Sequence, residues 1–356
     1  MKCRKLPVSN YGADTASMER MQTTAKHTTA SYSQSMAFAL LISLMIALPL
    51  AAADVRLGII GTDTSHATAF ARVLNNPTAP DYIPGARIVA AWKGGSADIE
   101  ESANRVDQYA NELKNKWGVK IVDSIAELCS AVDGLLLESV DGRTHLTQFR
   151  EASRCGKPVF IDKPLASTLS DAKKIARLAR DQNIPWFSSS SLRFSPIADL
   201  RTPNMISAIV WAPGPLEAHH QLDLSWYGIH GVEMLYTLFG TGCAEVSRIS
   251  SPDSDVITGR WKDGRLGTVH LQRPYGKYGG VVYLKDKSLN TKPDISFSYV
   301  PLLKEIVKFM QTKTAPVPND ETLEIFEFMD AAQRSLAEHG GLVKLRTTGS
   351  ITRSVL

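Results

Sequence analysis

The sequence is poor in cysteine, and its few cysteines are far apart. Four cysteines occur in 356 residues, and Cys3 falls in the N-terminal segment described below. Cys129, Cys155 and Cys243 remain for the folded part of the chain. Three scattered cysteines form neither a disulfide framework nor a metal motif. We expect them to pack as small apolar side chains.

An excess of charge of one sign is also missing. Residues 1–35 hold five of the 40 Lys and Arg and two of the 36 Asp and Glu, so the rest of the chain has a net charge near +1. Without a basic stripe, the sequence indicates no nucleic acid partner. We find no internal repeat and no low-complexity segment. The length and the hydrophobic content of 44% suit two globular domains.

One segment is apolar without interruption. Residues 36–53, MAFALLISLMIALPLAAA, carry no charge and follow a basic flank. The closing alanines offer a cleavage site before Asp54, which is the layout of a secretory signal peptide. A retained membrane anchor is the alternative, since the run is close to the minimum length for spanning. We therefore predict a leader and signal peptide over residues 1–53, and a secreted or periplasmic mature protein with no membrane contact.

From residue 55 to residue 189, short apolar runs alternate with helical patterns. VRLGII, ARIVAAW and KPVFI are among the runs, and helices are predicted at 64–74, 98–116, 124–131, 144–155 and 168–182. Strands that are apolar throughout and separated by helices are typical of an α/β fold with a Rossmann-type doubly wound parallel sheet. Ligands bind at the carboxyl ends of such strands. We predict a dinucleotide-binding domain over residues 54–193.

The pattern changes after residue 193. Strand-like runs then follow one another, at 205–211, 246–250, 255–261, 266–272 and 280–284, with a single helix near 229–239. This order predicts an α+β domain with a mostly antiparallel open sheet over residues 194–350. Two further helices close the chain. The first has an apolar face that comprises Leu302, Leu303, Ile306, Val307 and Met310.

Three segments, in this order, resemble the Gfo/Idh/MocA oxidoreductases, relatives of glucose–fructose oxidoreductase and inositol dehydrogenase. Residues 155–183, CGKPVFIDKPLASTLSDAKKIARLARDQN, are similar to the family's Gly-Lys-x-Val-x-x-Glu-Lys-Pro segment, with Asp162-Lys163-Pro164 in the Glu-Lys-Pro place. SSSSLRFSP resembles the family's exit from the nucleotide domain, and YVPLLKEIVKFM begins a region similar to its closing helices. The resemblance implies an oxidoreductase that uses NADP or NAD, acts on a sugar or polyol, and forms a homo-oligomer through the open face of its second sheet.

The resemblance also implies the catalytic residues. In the family, the lysine of this segment lies beside the nicotinamide and the substrate hydroxyl, which indicates Lys163. A histidine of the second domain joins it, and SWYGIHGVEMLYTLFG places His230 there, with Glu233 in the final acidic place. The family's aspartate four residues before that histidine is replaced by Trp226, so we name the adjacent Tyr227 as a third catalytic candidate. From the residues alone, a solvated lysine beside a proline turn is the alternative for Lys163, and the strand-end position favours the site. For His230, the residues alone favour a first-turn helix histidine satisfied by backbone, and the resemblance favours the site.

The turn after the first strand, GTDTSH, keeps only half of the dinucleotide fingerprint. Gly61 supplies the tight turn, whereas Asp63 and His66 stand in the places of the second and third glycines. Asp63 is also predicted to cap the following helix by accepting from the amide of Ser65 or His66. Because its charge repels a phosphate, we expect weaker cofactor binding, or a pyrophosphate shifted toward Thr62, Thr64 and Ser65.

The remaining cofactor contacts are expected at other strand ends. The second strand ends without an acidic residue for the ribose, so Lys93 and Ser96 are candidates for holding a 2′-phosphate, and a flexible surface turn is the alternative. Ser139, His145 and Asp162 complete the predicted cofactor site. No metal site is predicted, because the adjacent histidines of EAHHQLD point to opposite faces of a strand.

Export restricts the function further, because free nicotinamide cofactor is scarce outside the cytoplasm. We therefore expect a tightly held cofactor that is alternately reduced and reoxidised. Two alternatives stay open. One is a redox-neutral, NAD-dependent enzyme that cleaves a glycoside by oxidising and re-reducing one sugar. The other is a sugar-binding module of the same fold that has lost hydride transfer.

Overall fold

The computed structural model describes residues 53–346. The predicted leader and signal peptide lie outside the described residues, apart from Ala53, and so do residues 347–356. Within the described part of the chain, none of the helices is both long enough and apolar enough to cross a bilayer.

The first half of the described chain folds around a parallel sheet of six strands in the order β3-β2-β1-β4-β5-β6. Its strands are β1 Val55–Ile60, β2 Ala86–Trp92, β3 Lys120–Val122, β4 Gly134–Leu137, β5 Val159–Asp162 and β6 Trp186–Ser189. The connecting helices are α1 Ser65–Asn75, α2 Glu100–Trp117, α3 Ile125–Ala131, α4 Gly142–Ser153 and α5 Leu169–Asp181. Every residue of β4, β5 and β6 is buried, because helices cover both faces of the sheet. The predicted Rossmann-type sheet is confirmed.

The second half forms a sheet of seven strands in the order β12-β11-β7-β10-β9-β8-β13. Its strands are β7 Ser207–Pro213, β8 Cys243–Ser251, β9 Ser254–Trp261, β10 Leu266–Gln272, β11 Gly279–Tyr283, β12 Ser288–Asn290 and β13 Val343–Lys344. All neighbours are antiparallel except β7 and β10, so the predicted mostly antiparallel sheet is confirmed. Helices α6 Gly228–Phe239 and α8 Asn319–Ala337 pack on this sheet.

One closing helix returns to the first sheet. Helix α7, Val300–Thr312, buries the predicted apolar face in the same core cluster as Leu57 and Phe160. Its Phe309 ring lies 4.9 Å from the ring of Phe187 on β6. The covering layer of the Rossmann sheet therefore includes a helix from beyond residue 193. The boundary between 193 and 194 stays a prediction.

The expectation for the cysteines is wrong for two of the three. Cys129 on α3 and Cys155, just after α4, form a disulfide with a Cα–Cα distance of 5.7 Å. Helices α3 and α4 lie side by side, and this packing brings together two residues that are 26 positions apart. Cys243 is free and buried, as expected.

The turn after β1 is closely packed at Gly61. This packing predicts that an alanine at Gly61 destabilises the protein more than an alanine at Gly118. Gly61 has a φ of 94°, and a Cβ there would lie 2.3 Å from Ser139 Oγ and 2.5 Å from Ser139 N. Gly118 has a φ of 66°, and no described residue other than its neighbours in the chain lies within 4 Å of its Cβ position. We expect Gly118→Ala to lower the free energy of unfolding by about 1 kcal/mol through backbone strain alone. Gly61→Ala adds the clash and should cost more than about 2 kcal/mol.

Urea unfolding of the two variants checks this expectation. Because both glycines have positive φ, Gly118→Ala is the matched control for strain without a clash. Equal losses in the two variants would contradict the packing described for Gly61.

Candidate active site

A cavity opens at the carboxyl edge of the parallel sheet. The strand order reverses between β1 and β4, which is the usual ligand position in this architecture. The cavity measures about 150 Å³, and Lys163, Tyr227 and His230 all line it. The three residues predicted to be catalytic therefore share one space, although Lys163 follows β5 and the other two belong to the start of α6.

Lys163 reaches the cavity from the end of β5. Its backbone N–H donates to Asp162 Oδ1 over 2.8 Å, and its Nζ lies 5.7 Å from the centre of the Tyr227 ring. Burial lowers the pKa of Lys163, although the nearby carboxylates act in the opposite direction. An amine in this environment gives up its proton more readily than a lysine in water.

His230 is oriented by a side chain of the opposite domain. Ser190 Oγ, just after β6, lies 2.7 Å from His230 Nδ1, so Nε2 is the ring nitrogen available to the cavity. Burial holds the pKa of His230 well below its ordinary value, and the imidazole is neutral near pH 7. The backbone N–H of Ser190 in turn donates to Glu233 Oε1 over 3.2 Å. Glu233 also pairs with the buried Arg193 at 2.7 Å, so the residue in the family's acidic place joins the two domains.

Tyr227 and Trp226 form the wall opposite Lys163. The Tyr227 ring lies 5.6 Å from the His230 ring, edge to face. Burial raises the pKa of Tyr227, which keeps the phenol protonated at neutral pH. Trp226, in the place of the family's aspartate, also lines the cavity and packs against His220 at 4.9 Å. It supplies an apolar surface where the family has a charge.

Backbone hydrogen bonds connect the glycine turn to the end of β2. Gly61 N–H donates to Trp92 O over 3.0 Å, and Thr62 N–H donates to Lys93 O over 2.8 Å. The hydroxyl of Thr62 donates to Val106 O on α2 over 2.9 Å. Thr62 is buried, whereas Thr64, Ser65 and His66 line the cavity.

Asp63 does not cap α1, so that prediction is wrong. Thr64 is the N-cap, and its side chain accepts from the N–H of His66. The carboxylate of Asp63 is buried and accepts from Ser102 Oγ over 2.6 Å and from Val140 N–H over 3.2 Å. Asp63 thus joins the turn to α2 and to the loop after β4. Burial raises its pKa above the ordinary value.

A buried cluster of ionisable groups lies next to the cavity, and its histidine, His66, is the member that lines the cavity. His66 Nδ1 is 2.6 Å from Asp162 Oδ2, and Glu138 at the end of β4 lies beside this pair. Glu138 is fully buried, and neither carboxylate oxygen has a hydrogen-bond partner among residues 53–346. Burial raises the pKa of Glu138 well above its ordinary value. The sequence shows that an acidic residue stands at the end of this strand. It does not show that the carboxylate has no hydrogen-bond partner among these residues.

The other predicted cofactor contacts lie outside the cavity. Lys93 is exposed and pairs with Asp107, and Ser96 Oγ donates to Asp141 over 2.6 Å. His145 is buried with Nε2 2.7 Å from Ser139 O, so these two residues contact each other beneath the loop. Lys93 and Ser96, the candidates for a 2′-phosphate, thus already contact carboxylates.

The adjacent histidines lie in a turn rather than on a strand, so they do not point to opposite faces. His219 Nδ1 lies 2.6 Å from Glu217 Oε1, and His220 Nδ1 lies 2.8 Å from Glu217 Oε2. A turn lets both rings approach one carboxylate, which a pleated strand prevents.

Several residues of the cavity were not identified from the sequence. Tyr278 and Tyr299 come from the second half of the chain, and Glu101 and Arg105 come from α2. Glu101 and Arg105 are four residues apart on the helix and pair at 3.5 Å. Their spacing is common on exposed helix faces, so it carries no signal of a site.

Comparison with known proteins relates the first half of the described chain to one family. Residues 55–188 match the family model GFO_IDH_MocA, described as "Oxidoreductase family, NAD-binding Rossmann fold". Residues 55–188 therefore match the family that the sequence resembles. The predicted enzyme class and the nicotinamide dinucleotide as cofactor are confirmed at the level of this family.

Individual relatives are more distant. The curated relative "Putative oxidoreductase YceM" of Salmonella typhimurium is 28% identical over 142 residues, which span 40% of each chain. A myo-inositol dehydrogenase from Lactobacillus casei, solved with NAD(H) and myo-inositol, has a TM-score of 0.63 at 17% identity and covers 84% of this chain and 99% of its own. Myo-inositol 2-dehydrogenase from Lactobacillus plantarum has a TM-score of 0.64 at 15% identity, with 82% and 100% covered. At these identities the solved structures establish the shared fold.

The buried Asp63 predicts a pH-dependent difference in stability. Its folded pKa is raised, so between about pH 4 and that pKa the folded state holds a proton that the unfolded state releases. The wild-type protein therefore loses stability from this group as the pH rises, and Asp63→Asn does not. We expect the stability of Asp63→Asn relative to wild type to increase between about pH 4 and about pH 7.

Urea unfolding at the two pH values measures this difference. The exposed Asp123→Asn is the control, and its offset from wild type should change less. An offset for Asp63→Asn that is the same at both pH values would contradict the assigned environment of this carboxylate.

Proposed function

We propose that this protein is an NAD(P)-dependent oxidoreductase that acts on a hydroxyl group of a sugar or polyol. The observation that carries the proposal is the shared cavity of Lys163, Tyr227 and His230 at the reversal point of the parallel sheet. Oxidation of an alcohol needs a group that accepts the hydroxyl proton within hydrogen-bond reach. The neutral His230, oriented by Ser190, and Lys163 both offer a nitrogen to a substrate in this space.

The residues at the start of α1 fit one end of a dinucleotide. Thr64, Ser65 and His66 line the cavity at a helix N-terminus, where amide groups favour an anion. When bound, the nicotinamide ring supplies the hydride acceptor. A cavity of about 150 Å³ is small beside the several hundred Å³ of most ligand pockets. The rest of a bound dinucleotide would therefore lie outside this cavity.

A sugar or polyol suits the wall of the cavity. Tyr275, Tyr278 and Tyr299 line it and combine aromatic faces with hydroxyl groups. Aromatic faces pack against the C–H surface of a sugar ring, and the phenol groups exchange hydrogen bonds with its hydroxyls. The solved dehydrogenase from Lactobacillus casei, bound to myo-inositol, shows a polyol in a protein of this fold.

We further propose that the protein is exported with a tightly held cofactor and associates with its own copies. The Cys129–Cys155 disulfide supports export, because disulfides persist in oxidising compartments. Ile249 and Val256 support self-association. They are paired on neighbouring strands and are 69% and 44% exposed.

A sugar-binding module is the second candidate function, and a specific observation favours it. The amides of Gly61 and Thr62 already donate to Trp92 and Lys93, and Asp63 is bonded to α2. These contacts occupy groups that hold a pyrophosphate in a complete fingerprint. A protein with these contacts fixed would bind a sugar without a dinucleotide.

Substitution of Lys163 separates the two candidates. We expect Lys163→Met to lower NAD(P)-dependent oxidation of a polyol at least 100-fold, because proton transfer of this kind contributes about 10²–10⁴-fold. Steady-state kinetics over a panel of polyols and aldoses measures the loss, and fluorescence titration with NADH and NADPH should give a dissociation constant within a few-fold of wild type.

Lys174→Met, an exposed lysine that pairs with Asp171, is the control and should retain wild-type turnover. Binding of a sugar by the wild-type protein, without binding of either cofactor, would overturn the oxidoreductase proposal and favour the binding module.

Export predicts a particular mature protein. Material recovered from the periplasm or the medium should begin near Asp54 and contain Cys129 and Cys155 in oxidised form. Mass spectrometry of the intact protein, with and without reductant, measures both features. Retention of residues 1–53 in the cytoplasm would contradict the export proposal.

A further inference from the structure

We propose that His66, Glu138 and Asp162 bind one divalent metal ion next to the cavity, which His66 lines. One potential ligand atom from each residue lies within 4.8 Å of the other two. The three side chains come from separate elements, namely the first turn of α1 and the ends of β4 and β5. Parallel strands bring these positions to the same edge of the sheet, so the backbone itself assembles the cluster.

The environment of Glu138 indicates that a binding partner of its carboxylate is missing from the cluster. It is fully buried, and both carboxylate oxygens are without a hydrogen-bond partner among residues 53–346. Buried carboxylates are normally paired, hydrogen-bonded or bound to a metal. Asp63, at the same edge of the sheet, is a buried carboxylate that is hydrogen-bonded in the usual way: its two oxygens accept from Ser102 and from the backbone of Val140.

The neighbouring groups do not supply the missing partner. The carboxylate of Asp162 already contacts His66 and the backbone N–H of Lys163. The Nζ of Lys163 lies over the Tyr227 ring, and no ion pair of Lys163 occurs within the described part of the chain. A cation bound between Glu138, Asp162 and His66 would compensate both carboxylates at once.

The ligand set defines the class of ion. One imidazole nitrogen and two carboxylate oxygens suit Zn²⁺ or Mn²⁺, whereas Mg²⁺ and Ca²⁺ favour sets made only of oxygen. The His66 ring is held by Tyr299, whose ring lies 4.6 Å away, and its side chain is 12% exposed toward the cavity. Three protein ligands leave coordination positions for further donors. His66 is the ligand that lines the cavity.

The assignment gives His66 and Asp162 a role in addition to the cofactor contacts expected from the sequence. It requires neither NAD(P) nor a substrate to be bound. It can therefore be tested with the metal alone, and its failure leaves the proposed oxidoreductase function untouched.

Metal binding to the mature chain tests the proposal directly. Protein stripped with a chelator is titrated with ZnCl₂ and with MnCl₂ by calorimetry, and bound metal is counted by elemental analysis after dialysis. We expect one ion per chain for at least one of the two metals, and at least a 10-fold weaker affinity in Glu138→Gln. His66→Gln should show the same loss and serves as the second variant if Glu138→Gln does not fold.

Two controls separate this site from surface binding. Glu112→Gln removes a partly exposed carboxylate that pairs with Lys116, and His219→Ala removes an exposed histidine of the turn that contacts Glu217. Both should bind the ion as wild type does. Without metal, Glu138→Gln should melt at or above the wild-type temperature. When metal is added, the wild type and both controls should gain thermal stability, and Glu138→Gln should not.

Three results would overturn the proposal. They are no stoichiometric binding of either ion to the wild type, equal affinity in wild type and Glu138→Gln, and loss of binding in His219→Ala alone. The last result would place the ion at the surface turn.

Discussion

The junction between the end of β6 and the first turn of α6 is the contact on which the site depends. Ser190 donates its N–H to Glu233 and contacts His230 through its hydroxyl, and Arg193 pairs with the same Glu233. These groups are buried, so a lost partner would leave an uncompensated charge in the interior. The junction therefore holds α6 against the edge of the parallel sheet, and it places His230 and Tyr227 opposite Lys163.

The same edge shows two uses of buried carboxylates. Asp63 and Asp141 hold the backbone together: Asp63 accepts from Ser102 and Val140, and Asp141 caps α4 and contacts Ser96. Glu138 lies beside His66 and Asp162, and its carboxylate has no hydrogen-bond partner among residues 53–346. The carboxylate in the glycine turn is thus satisfied by the protein itself, whereas the carboxylate at the end of β4 is not satisfied by these residues. Asp63 is thus the residue that departs from the dinucleotide fingerprint, and Glu138 is the residue on which the proposed metal site depends.

Much of the fold was predictable because burial on both faces leaves a clear pattern. The apolar runs located the main strands of the parallel sheet, and the helix around His230 was placed within one residue of its observed start, Gly228. The short strands β12 and β13 were missed, because two or three residues carry no periodicity. The disulfide was missed because it depends on the packing of α3 against α4, and the capping role of Asp63 was assigned one residue too early.

The sequence by itself determined the order of the elements, the family of the Rossmann half, and the residue types at each strand end, since these are local properties of the chain. Tertiary structure alone decided which of those residues meet. It placed Lys163 beside Tyr227, turned Asp63 toward Ser102, and returned α7 to the first sheet. It also left the Glu138 carboxylate without a hydrogen-bond partner in the part of the chain that the structure describes. The reason is physical: hydrogen bonds and burial depend on distances between segments remote in sequence, and no local pattern records those distances.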